Sequence, residues 1–402
     1  MNGFEWQDQR GVEGTGFVRA IRSRLTSRLP QLDTALDRVI RSGLEAELGN
    51  SSRHGHVCIN LFPMVRRIVT RVNCFVFFGD ELRQNEEFTA AALSFPQDVI
   101  IAAEFVRITP QFLRPFVASL VTGRHRAAKT LYRYLEPIVS KRLAKRNSTD
   151  EWERKQPADC MQWLIDTSPR KKPWSSARMV GEIIAIWLSS VHQLAMTATY
   201  AIEDLCLHSK YVEPVRKEVQ QQMAQGLATP MAVETLPLLD SFLKESIRHT
   251  NLDAITCRRK ALKDFVFKDG TAIQKDEWVC IPQRAMMHDA QRYSDPHSFD
   301  GLRFARANDA LAKGQVTDAV PDKAQSSLTT SNIDWPIWGL GNTACPGRFY
   351  ASLVLKLMMS QILCEWECSM PDTTSPRSLS WRSSVVPREG TQVMFRRAGT
   401  WA

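Results

Sequence analysis

One stretch, from about residue 176 to residue 208, constrains the fold more than any other. It holds a helical pattern of apolar residues with no proline and a single glycine. At ~1.5 Å per residue such a helix would span nearly 50 Å, about the width of a whole domain. A helix this long, and apolar on several faces, must run through a protein core. Its middle nevertheless carries Ser189, Ser190, His192 and Gln193, and buried polar groups need hydrogen-bond partners or a cavity.

The remaining patterns predict further helices in the first two-thirds of the chain and a small β part after them. Helical spacing covers residues 17–48, 60–78, 84–106, 125–145, 158–166 and 236–249, and Pro30 predicts a break between two helices within the first of these. Alternating residues around Asp269 and Gly270 predict a β-hairpin. Residues 307–333 lack a period, which predicts a surface loop, and a last helix over about 346–367 precedes two short strands. The predicted fold class is mainly α with a small β part, in one domain.

Composition and charge exclude several classes of protein. The 402 residues are 44% hydrophobic and 24% charged, which is ordinary for a globular protein and excludes collagen-like and disordered chains. The excess of 52 basic over 43 acidic residues is dilute, and it favours docking to an acidic protein or an anionic membrane face over wrapping nucleic acid. Glu182 and Lys356 interrupt the most apolar runs, so no transmembrane segment is predicted. Residues 1–14 are polar and lack the apolar core of a signal peptide.

The nine cysteines do not form a disulfide or zinc pattern. Their number is odd, their spacing is scattered, and no pair of CxxC motifs occurs. We therefore expect reduced thiols in a reducing compartment.

One cysteine lies in a setting that suits a metal-bound thiolate. Gly339 and Gly341 free the backbone for a tight loop, and Cys345 follows immediately before a predicted helix with Pro346 in its first turn. The positive end of the helix dipole predicts a lowered thiol pKa. An iron–thiolate bond needs such an anionic sulfur, held rigidly and hydrogen-bonded by loop amides. Arg348, one turn further on, is placed to serve a nearby anion.

Residues 338–351 resemble the haem-binding signature of the cytochrome P450 superfamily. The signature's aromatic residue, two glycines, basic residue, axial cysteine, glycine and alanine fall on Trp338, Gly339, Gly341, Thr343, Cys345, Gly347 and Ala351. The resemblance implies a P450 fold with haem bound through Cys345. Two positions differ from the family pattern, because Trp338 replaces the usual phenylalanine beside the thiolate and Thr343 replaces the usual basic residue beside a haem propionate.

Two further motifs agree with this resemblance. Glu245 and Arg248 lie three apart on one helical face, which alone is typical of an exposed ion pair. They match the family's ExxR element, and Arg303 matches its arginine between that helix and the cysteine loop. The resemblance implies that the three side chains form a buried structural network rather than a catalytic one.

The long helix resembles the family's central helix above the distal haem face. In the pattern of that helix, His192 stands where an acidic residue is usual and Gln193 stands where a threonine is usual. The resemblance assigns the two residues to proton delivery during oxygen activation, and Gln193 would hold a water through its amide. A satisfied polar pair in the core is the alternative for His192.

The resemblance implies a haem-thiolate monooxygenase that takes electrons from NADPH through a partner reductase and oxidises an apolar substrate. The pattern is similar to fungal enzymes of the ent-kaurene oxidase and indole-diterpene oxidase groups, which favours a terpenoid or other secondary metabolite. Arg19, Arg22 and Arg24 on the first helix are candidates for binding a haem propionate or an acidic reductase, or are ordinary solvated charges. Two alternatives remain open, a reductase-independent isomerase or dehydratase and a truncated product that binds haem poorly.

The resemblance covers nearly the whole chain but lacks the family's usual beginning. Relatives begin with a membrane anchor, a first helix, several strands and part of the substrate-entry region, whereas this sequence starts after them. We therefore expect an N-terminally shortened P450 domain over residues 1–402, with an incomplete sheet and an open channel that favour aggregation. The family's location at the endoplasmic reticulum membrane surface is implied, while a chain without its anchor is expected to be cytoplasmic.

Overall fold

The computed structural model describes residues 16–49, 55–146, 157–169, 173–224 and 231–399. The polar segment of residues 1–14 lies outside these residues. Within them the helices carry most of the chain and the strands are short, which confirms the prediction of a mainly α fold with a small β part. The helices are α1 (Gly16–Arg19), α2 (Thr26–Leu48), α3 (Leu61–Phe78), α4 (Asp80–Gln84), α5 (Glu86–Ile108), α6 (Arg114–Val121), α7 (Arg126–Arg146), α8 (Cys160–Thr167), α9 (Ser176–Leu207), α10 (Val212–Ala224), α11 (Pro237–His249), α12 (Gln283–Met287), α13 (Arg303–Ala312) and α14 (Arg348–Glu365).

The strands form one three-stranded sheet and three two-stranded sheets among the described residues. They are β1 (Val57–Asn60), β2 (Thr256–Lys260), β3 (Phe265–Val266), β4 (Ala272–Ile273), β5 (Trp278–Ile281), β6 (Trp366–Ser369), β7 (Ser378–Trp381), β8 (Ser384–Pro387) and β9 (Gln392–Arg397). All pairs are antiparallel, and the sheets are β1-β9-β6, β2-β5, β3-β4 and β7-β8. The predicted hairpin at Asp269 is the β3-β4 pair. The chain end carries three strands after β6 instead of the predicted two.

Two sequence predictions about helix boundaries are wrong. Pro30 lies inside α2 and does not divide it. The proline removes one N–H donor from a helix that otherwise continues through it, and its ring is exposed, away from the core. The irregular backbone lies instead just upstream, in a π-helical segment over Ala20–Leu25. Residues 307–312 are also helical, because α13 buries Phe304 and Ala307 on one face, and the predicted loop begins only at residue 313.

The described chain separates into two compact units, residues 16–49 with 63–195, and residues 55–62 with 196–399. The first unit is helical and has an aromatic core around Trp187 of α9. The Trp187 indole donates a hydrogen bond to the Ala92 carbonyl (2.9 Å), and its ring contacts Phe77 and Phe78. Its side chain is fully buried, so the long helix does pass through a core, as its apolar pattern predicts.

The second unit combines α10 to α14 with all nine described strands. Its largest helix, α14, buries most of its residues. A cluster of buried residues lies between α11, α13 and the long loop after α13, and it consists of Met287, Tyr293, Phe304, Ala307, Val320 and Trp335. This cluster supports the loop that leads to Cys345.

Two of the described helices, α5 and α9, are long and apolar enough to cross a membrane by length and composition alone. The apolar window of α9 is two-thirds buried inside the protein, whereas that of α5 is 28% buried. Burial makes α9 a core helix, whereas most of the apolar window of α5 is not buried. All nine cysteines are free thiols, in agreement with the prediction.

Candidate functional site around Cys345

Two short 3-10 turns, Pro336–Trp338 and Gly341–Thr343, shape the loop that carries Cys345. Gly339 between them has φ +74°, and a Cβ there would lie 3.3 Å from the Thr343 carbonyl oxygen. A side chain at this position would therefore be strained by conformation and crowded by the facing backbone. Gly341 also has a positive φ, +57°. The two glycines allow the chain to turn sharply enough to return toward α14.

Cys345 is held at both its backbone and its sulfur. Its N–H donates to the Trp338 carbonyl (2.6 Å), which closes the loop. The backbone N–H groups of Gly347 and Arg348 donate to the sulfur. The helix starts at Arg348 with Gly347 as its N-cap, so Cys345 and Pro346 lie outside the helix that the sequence placed directly after the cysteine.

Burial raises the pKa of the Cys345 thiol, and the two amides and the Arg348 guanidinium only partly oppose this rise. The predicted lowering of this pKa by the helix terminus is therefore wrong as a net direction. The amides at the helix terminus and the Arg348 guanidinium do stabilise the thiolate, as expected. The free-energy cost of removing the thiolate from water is larger than this stabilisation. A bound metal cation would be needed to stabilise the anionic sulfur.

The Arg348 side chain donates its hydrogen bonds to backbone carbonyls of the loops around Cys345. Its Nε donates to the Thr329 carbonyl (3.1 Å), and its Nη1 donates to the Cys345 carbonyl (3.0 Å). The guanidinium also lies 4.4 Å from the ring centroid of Phe349. These contacts tie the cysteine loop to the long loop before it.

Thr343 has a cationic partner that the sequence did not reveal. The Arg259 guanidinium, on β2, donates from Nη2 to the Thr343 hydroxyl oxygen (2.8 Å). The neighbouring Arg258 is engaged elsewhere, with Asp253 at 3.7 Å and the Ser383 hydroxyl at 2.9 Å. A positive charge therefore lies beside the position where the resemblance expects one, although it comes from strand β2 and not from the cysteine loop. The run Arg258–Lys260 was the only sequence signal, and such a run does not say which of its members reaches the loop.

The structure brings Glu245, Arg248 and Arg303 together in the second unit. Arg248 makes two hydrogen bonds to the Glu245 carboxylate, from Nε and from Nη2, both 2.8 Å. The Nε of Arg303 donates to the same carboxylate at 3.2 Å. The three side chains are 0–3% exposed. The alternative of an exposed pair is thus excluded for Glu245 and Arg248.

The other predicted site residues belong to the first unit. Arg19 and Arg22 are exposed, at the end of α1 and in the π-helical segment. His192 is half-buried on α9, while Gln193 beside it is exposed. Ser190, which precedes them, accepts a hydrogen bond on its carbonyl from the Asn73 amide (3.0 Å). The structure therefore divides the candidate residues between the two units.

A family model for cytochrome P450 matches residues 18–395 of this chain, which is nearly its whole length. The chain belongs to the cytochrome P450 family. The match includes Cys345 and the three residues of the buried network, and it confirms the resemblance deduced from these motifs. P450 proteins are haem-iron oxidoreductases, so the predicted enzyme class is confirmed as well.

Curated relatives of this P450 are fungal monooxygenases. Cytochrome P450 monooxygenase 151 of Postia placenta is 29% identical over 389 residues, covering 95% of this chain and 76% of the relative. Cytochrome P450 monooxygenase AtmP of Aspergillus flavus is 28% identical and covers 94% and 72% of the two chains. Ent-kaurene oxidase of Fusarium fujikuroi is 27% identical over 408 residues and covers 99% and 74%.

Solved P450 structures share the fold at low sequence identity. The retinoic acid-bound cyanobacterial CYP120A1 has a TM-score of 0.73 at 18% identity, covering 94% of this chain and 78% of that one. A zebrafish P450 with abiraterone has a TM-score of 0.67, also at 18% identity, covering 95% and 81%. The predicted P450 fold is confirmed by these similarities.

Proposed function

We propose that this P450 binds haem through Cys345 and inserts one oxygen atom from dioxygen into an apolar substrate, with electrons from NADPH delivered by a partner reductase. The observation that carries the proposal is the closed loop around Cys345. Its backbone is locked to Trp338 and its sulfur receives two amide hydrogen bonds. This is the donor set that an iron–thiolate bond requires.

The residues present fit a haem with an axial thiolate. Gly339 leaves out a side chain that would crowd the loop, and Arg348 fixes the Cys345 carbonyl by a hydrogen bond of 3.0 Å. The bound haem supplies the oxygen chemistry, because thiolate donation favours O–O cleavage. The protein's part is to hold the sulfur rigidly and shield it from water, while the two amides partly offset the effect of burial on the thiol pKa.

We assign Arg259 and Thr343 to one haem propionate. A guanidinium has five N–H donors, and Arg259 uses two of its nitrogens on the Thr343 hydroxyl and on the Arg258 carbonyl (2.8 Å each). It forms no ion pair with a carboxylate among the described residues. Its remaining donors and its full charge suit a carboxylate ligand by paired hydrogen bonds. The Thr343 hydroxyl orients the guanidinium and replaces the basic side chain usual at that position. Arg19 and Arg22 stay candidates for a second propionate or for the reductase.

His192 and Gln193 are the residues we assign to proton delivery. Both lie in the middle of α9, in a stretch from residue 188 to 193 that is less buried than the helix on either side, with His192 half-buried and Gln193 exposed. The side-chain amide of glutamine both donates and accepts hydrogen bonds, so Gln193 can order a water as the usual threonine hydroxyl does. Imidazole transfers protons near neutral pH, which suits His192 in place of an acid.

A terpenoid or another secondary metabolite is the substrate class that we propose. The support is the name of one relative, ent-kaurene oxidase, together with the other fungal monooxygenases that this chain resembles. A comparison of turnover on a diterpene hydrocarbon and on a fatty acid tests this class.

We also propose that the segment from Ile100 to Leu120 lies on a membrane surface. Eight large apolar side chains in it are exposed by 39–82%, and they are Ile100, Ile101, Phe105, Ile108, Phe112, Leu113, Phe116 and Leu120. No residue of the 3-10 turn Gln111–Leu113 or of α6 is buried. Exposed patches of this kind mark interaction sites.

Charge favours a lipid surface as the occupant of this patch. Arg107, Arg114, Arg124 and Arg126 are all exposed around it, and basic residues beside an apolar face bind anionic lipid headgroups. The double variant Phe112→Glu and Phe116→Glu should lose most binding to vesicles that contain phosphatidylserine. Leu262→Glu, at an 86% exposed leucine of the second unit, is the control and should bind normally. Equal binding of both variants, or self-association in place of lipid binding, would contradict the assignment.

The test of the proposed function combines a spectrum with an electron requirement. Reduced, haem-loaded protein with carbon monoxide should show the Soret band typical of thiolate ligation. Substrate oxidation should then require NADPH and reductase. Turnover of an oxygenated substrate without NADPH and without reductase would favour the isomerase or dehydratase. That alternative is suggested by Gln193, which stands in the place of the usual threonine. Failure to take up haem would favour the non-catalytic product.

A further inference from the structure

Trp338 occupies the aromatic position of the cysteine loop, and its indole N–H is already engaged. The Nε1 atom donates to the Leu328 carbonyl oxygen at 2.6 Å. The ring is partly buried and packs against the cluster that includes Trp335 and Phe304. Because an indole has one donor and no acceptor, this bond leaves the Trp338 side chain without a hydrogen-bond donor for a neighbouring sulfur.

The acceptor of this bond is itself fixed. Leu328 is fully buried, and its N–H donates to the Asp240 carboxylate of α11 (2.8 Å). Asp240 in turn lies 2.6 Å from the Lys356 ammonium of α14. Burial alone would lower the pKa of Lys356, but Asp240 and Glu234 raise it overall, so it stays a cation. The Leu328 carbonyl is therefore held by charged groups on two helices.

Trp338 also holds the cysteine from its other end, since its carbonyl accepts the Cys345 N–H at 2.6 Å. The residue thus connects Cys345 through its backbone to α11 through its side chain. The segment that contains Leu328 makes a further contact with the cysteine loop, because the Ser331 hydroxyl donates to the Gly339 carbonyl (2.7 Å). Hydrogen bonds to the Trp338 and Gly339 carbonyls therefore hold the loop at and beside Gly339.

We propose that Trp338 is a positioning residue that braces the Cys345 loop against α11 through Leu328 and Asp240, and that it gives no hydrogen bond to the sulfur. The hydrogen bonds to the sulfur then come from the amides of Gly347 and Arg348, and the Arg348 guanidinium adds its positive charge nearby. Replacing the usual phenylalanine by tryptophan stiffens the loop and leaves the electronic character of the ligand unchanged. This inference rests on the proposed function, in which Cys345 is the iron ligand.

The experiment compares Trp338→Phe with Trp335→Phe in haem-loaded protein. Both changes shorten a ring in the same cluster, but the Trp335 indole nitrogen is buried with no hydrogen-bond partner among the described residues. The bond to Leu328 is lost only in Trp338→Phe, while Trp335→Phe alters the contact of its ring with the Lys244 ammonium, 4.8 Å away. One buried hydrogen bond is typically worth ~1 kcal/mol, or about a fivefold change in a rate or equilibrium constant. Trp338→Phe should release haem to apomyoglobin about fivefold faster than Trp335→Phe.

The iron–sulfur stretching frequency and the reduction potential supply the second readout. Both should be the same in Trp338→Phe as in the wild type. A changed stretching frequency in this variant, with Trp335→Phe unaffected, would show that the indole bonds the sulfur and would overturn the proposal. Equal rates of haem release in the two variants would overturn the brace.

Asp240→Asn covers the case in which neither tryptophan variant takes up haem. It weakens the far end of the brace and should speed haem release without changing the iron–sulfur frequency, so wild-type release would again contradict the proposal. The carbon monoxide spectrum of the wild type distinguishes a failure of the proposed haem ligation from a failure of the proposed role of Trp338. If it lacks the thiolate band, the proposed function fails, whereas a normal band with unaltered variants defeats only the brace.

Discussion

The exchange of Glu245 for glutamine tests the buried network with the smallest change of shape. The carboxylate accepts four hydrogen bonds in the structure. Its Oε2 takes the Nε atoms of Arg248 (2.8 Å) and Arg303 (3.2 Å), and its Oε1 takes Arg248 Nη2 (2.8 Å) and the Asp300 N–H (2.9 Å). The side chain is fully buried, so water cannot replace any of these donors. Glutamine keeps the volume but turns one acceptor oxygen into an NH₂ group.

The cost follows from this count. Whichever way the amide is turned, its NH₂ group faces two donors and leaves both without an acceptor. An unsatisfied buried donor costs about 1–3 kcal/mol, and breaking a buried ion pair by removing one partner costs about 3–5 kcal/mol. The arginines keep part of their support, since Arg248 also donates to the Met287 and Pro296 carbonyls (2.6 and 2.8 Å). We therefore expect a loss of about 3–4 kcal/mol in the free energy of unfolding.

Glu213→Gln is the matched control. Glu213 and Arg216 have the same three-residue spacing on α10 of the same unit, but the glutamate side chain is 57% exposed. An exposed pair contributes at most about 1 kcal/mol. Unfolding in urea, followed by tryptophan fluorescence, and the ratio of haem absorbance to protein absorbance after purification measure both variants.

Equal losses of unfolding free energy in Glu245→Gln and Glu213→Gln would contradict the predicted role of the network. Wild-type haem content and stability in Glu245→Gln would contradict it as well. Either result would mean that the four hydrogen bonds are not maintained in solution. A loss confined to Glu245→Gln supports a structural role, because the residue contributes to the fold beside the loop and has no part in the oxygen chemistry.

Three further predictions concern single side chains of the second unit. Cys345→Ser should abolish the thiolate-type Soret band of the reduced carbon monoxide complex while leaving the helical circular dichroism intact; persistence of that band would disprove the ligand assignment. Arg259→Gln should speed haem release severalfold, with an effect that shrinks at high salt, whereas Lys260→Gln, beside it on the same strand, should not. Burial lowers the pKa of Lys244 to about 8, so between pH 8 and pH 10 only the unfolded chain keeps this proton, and the folded state gains stability as the pH rises. The unfolding free energy of the wild type relative to Lys244→Met should accordingly increase by about 2 kcal/mol from pH 7 to pH 9.5, and a flat difference would contradict the lowered pKa.

Local patterns in the sequence were sufficient for the main helices and for the motif positions. The spacing of apolar residues predicted α3, α5, α7, α9 and α14 within a few residues, since a helix buries one stripe of its own sequence. The motifs around Cys345 and Glu245 identified the family for a similar reason, because each is a short run whose residue types and spacing carry the signal. Even the wrong break at Pro30 came from a sound local rule, which the burial of the apolar stripe on either side of the proline overrode.

Contacts between residues that are far apart in the chain depend on the tertiary structure. Arg259 reaches Thr343 across 84 positions because β2 lies beside the cysteine loop, and no local pattern distinguishes it from Arg258 or Lys260. The direction of the Cys345 pKa was likewise beyond the sequence. The helix terminus that lowers the pKa is visible as a motif, but the burial that outweighs it depends on how the whole unit packs. Hydrogen bonding and desolvation are properties of three-dimensional neighbourhoods, and only the folded chain specifies them.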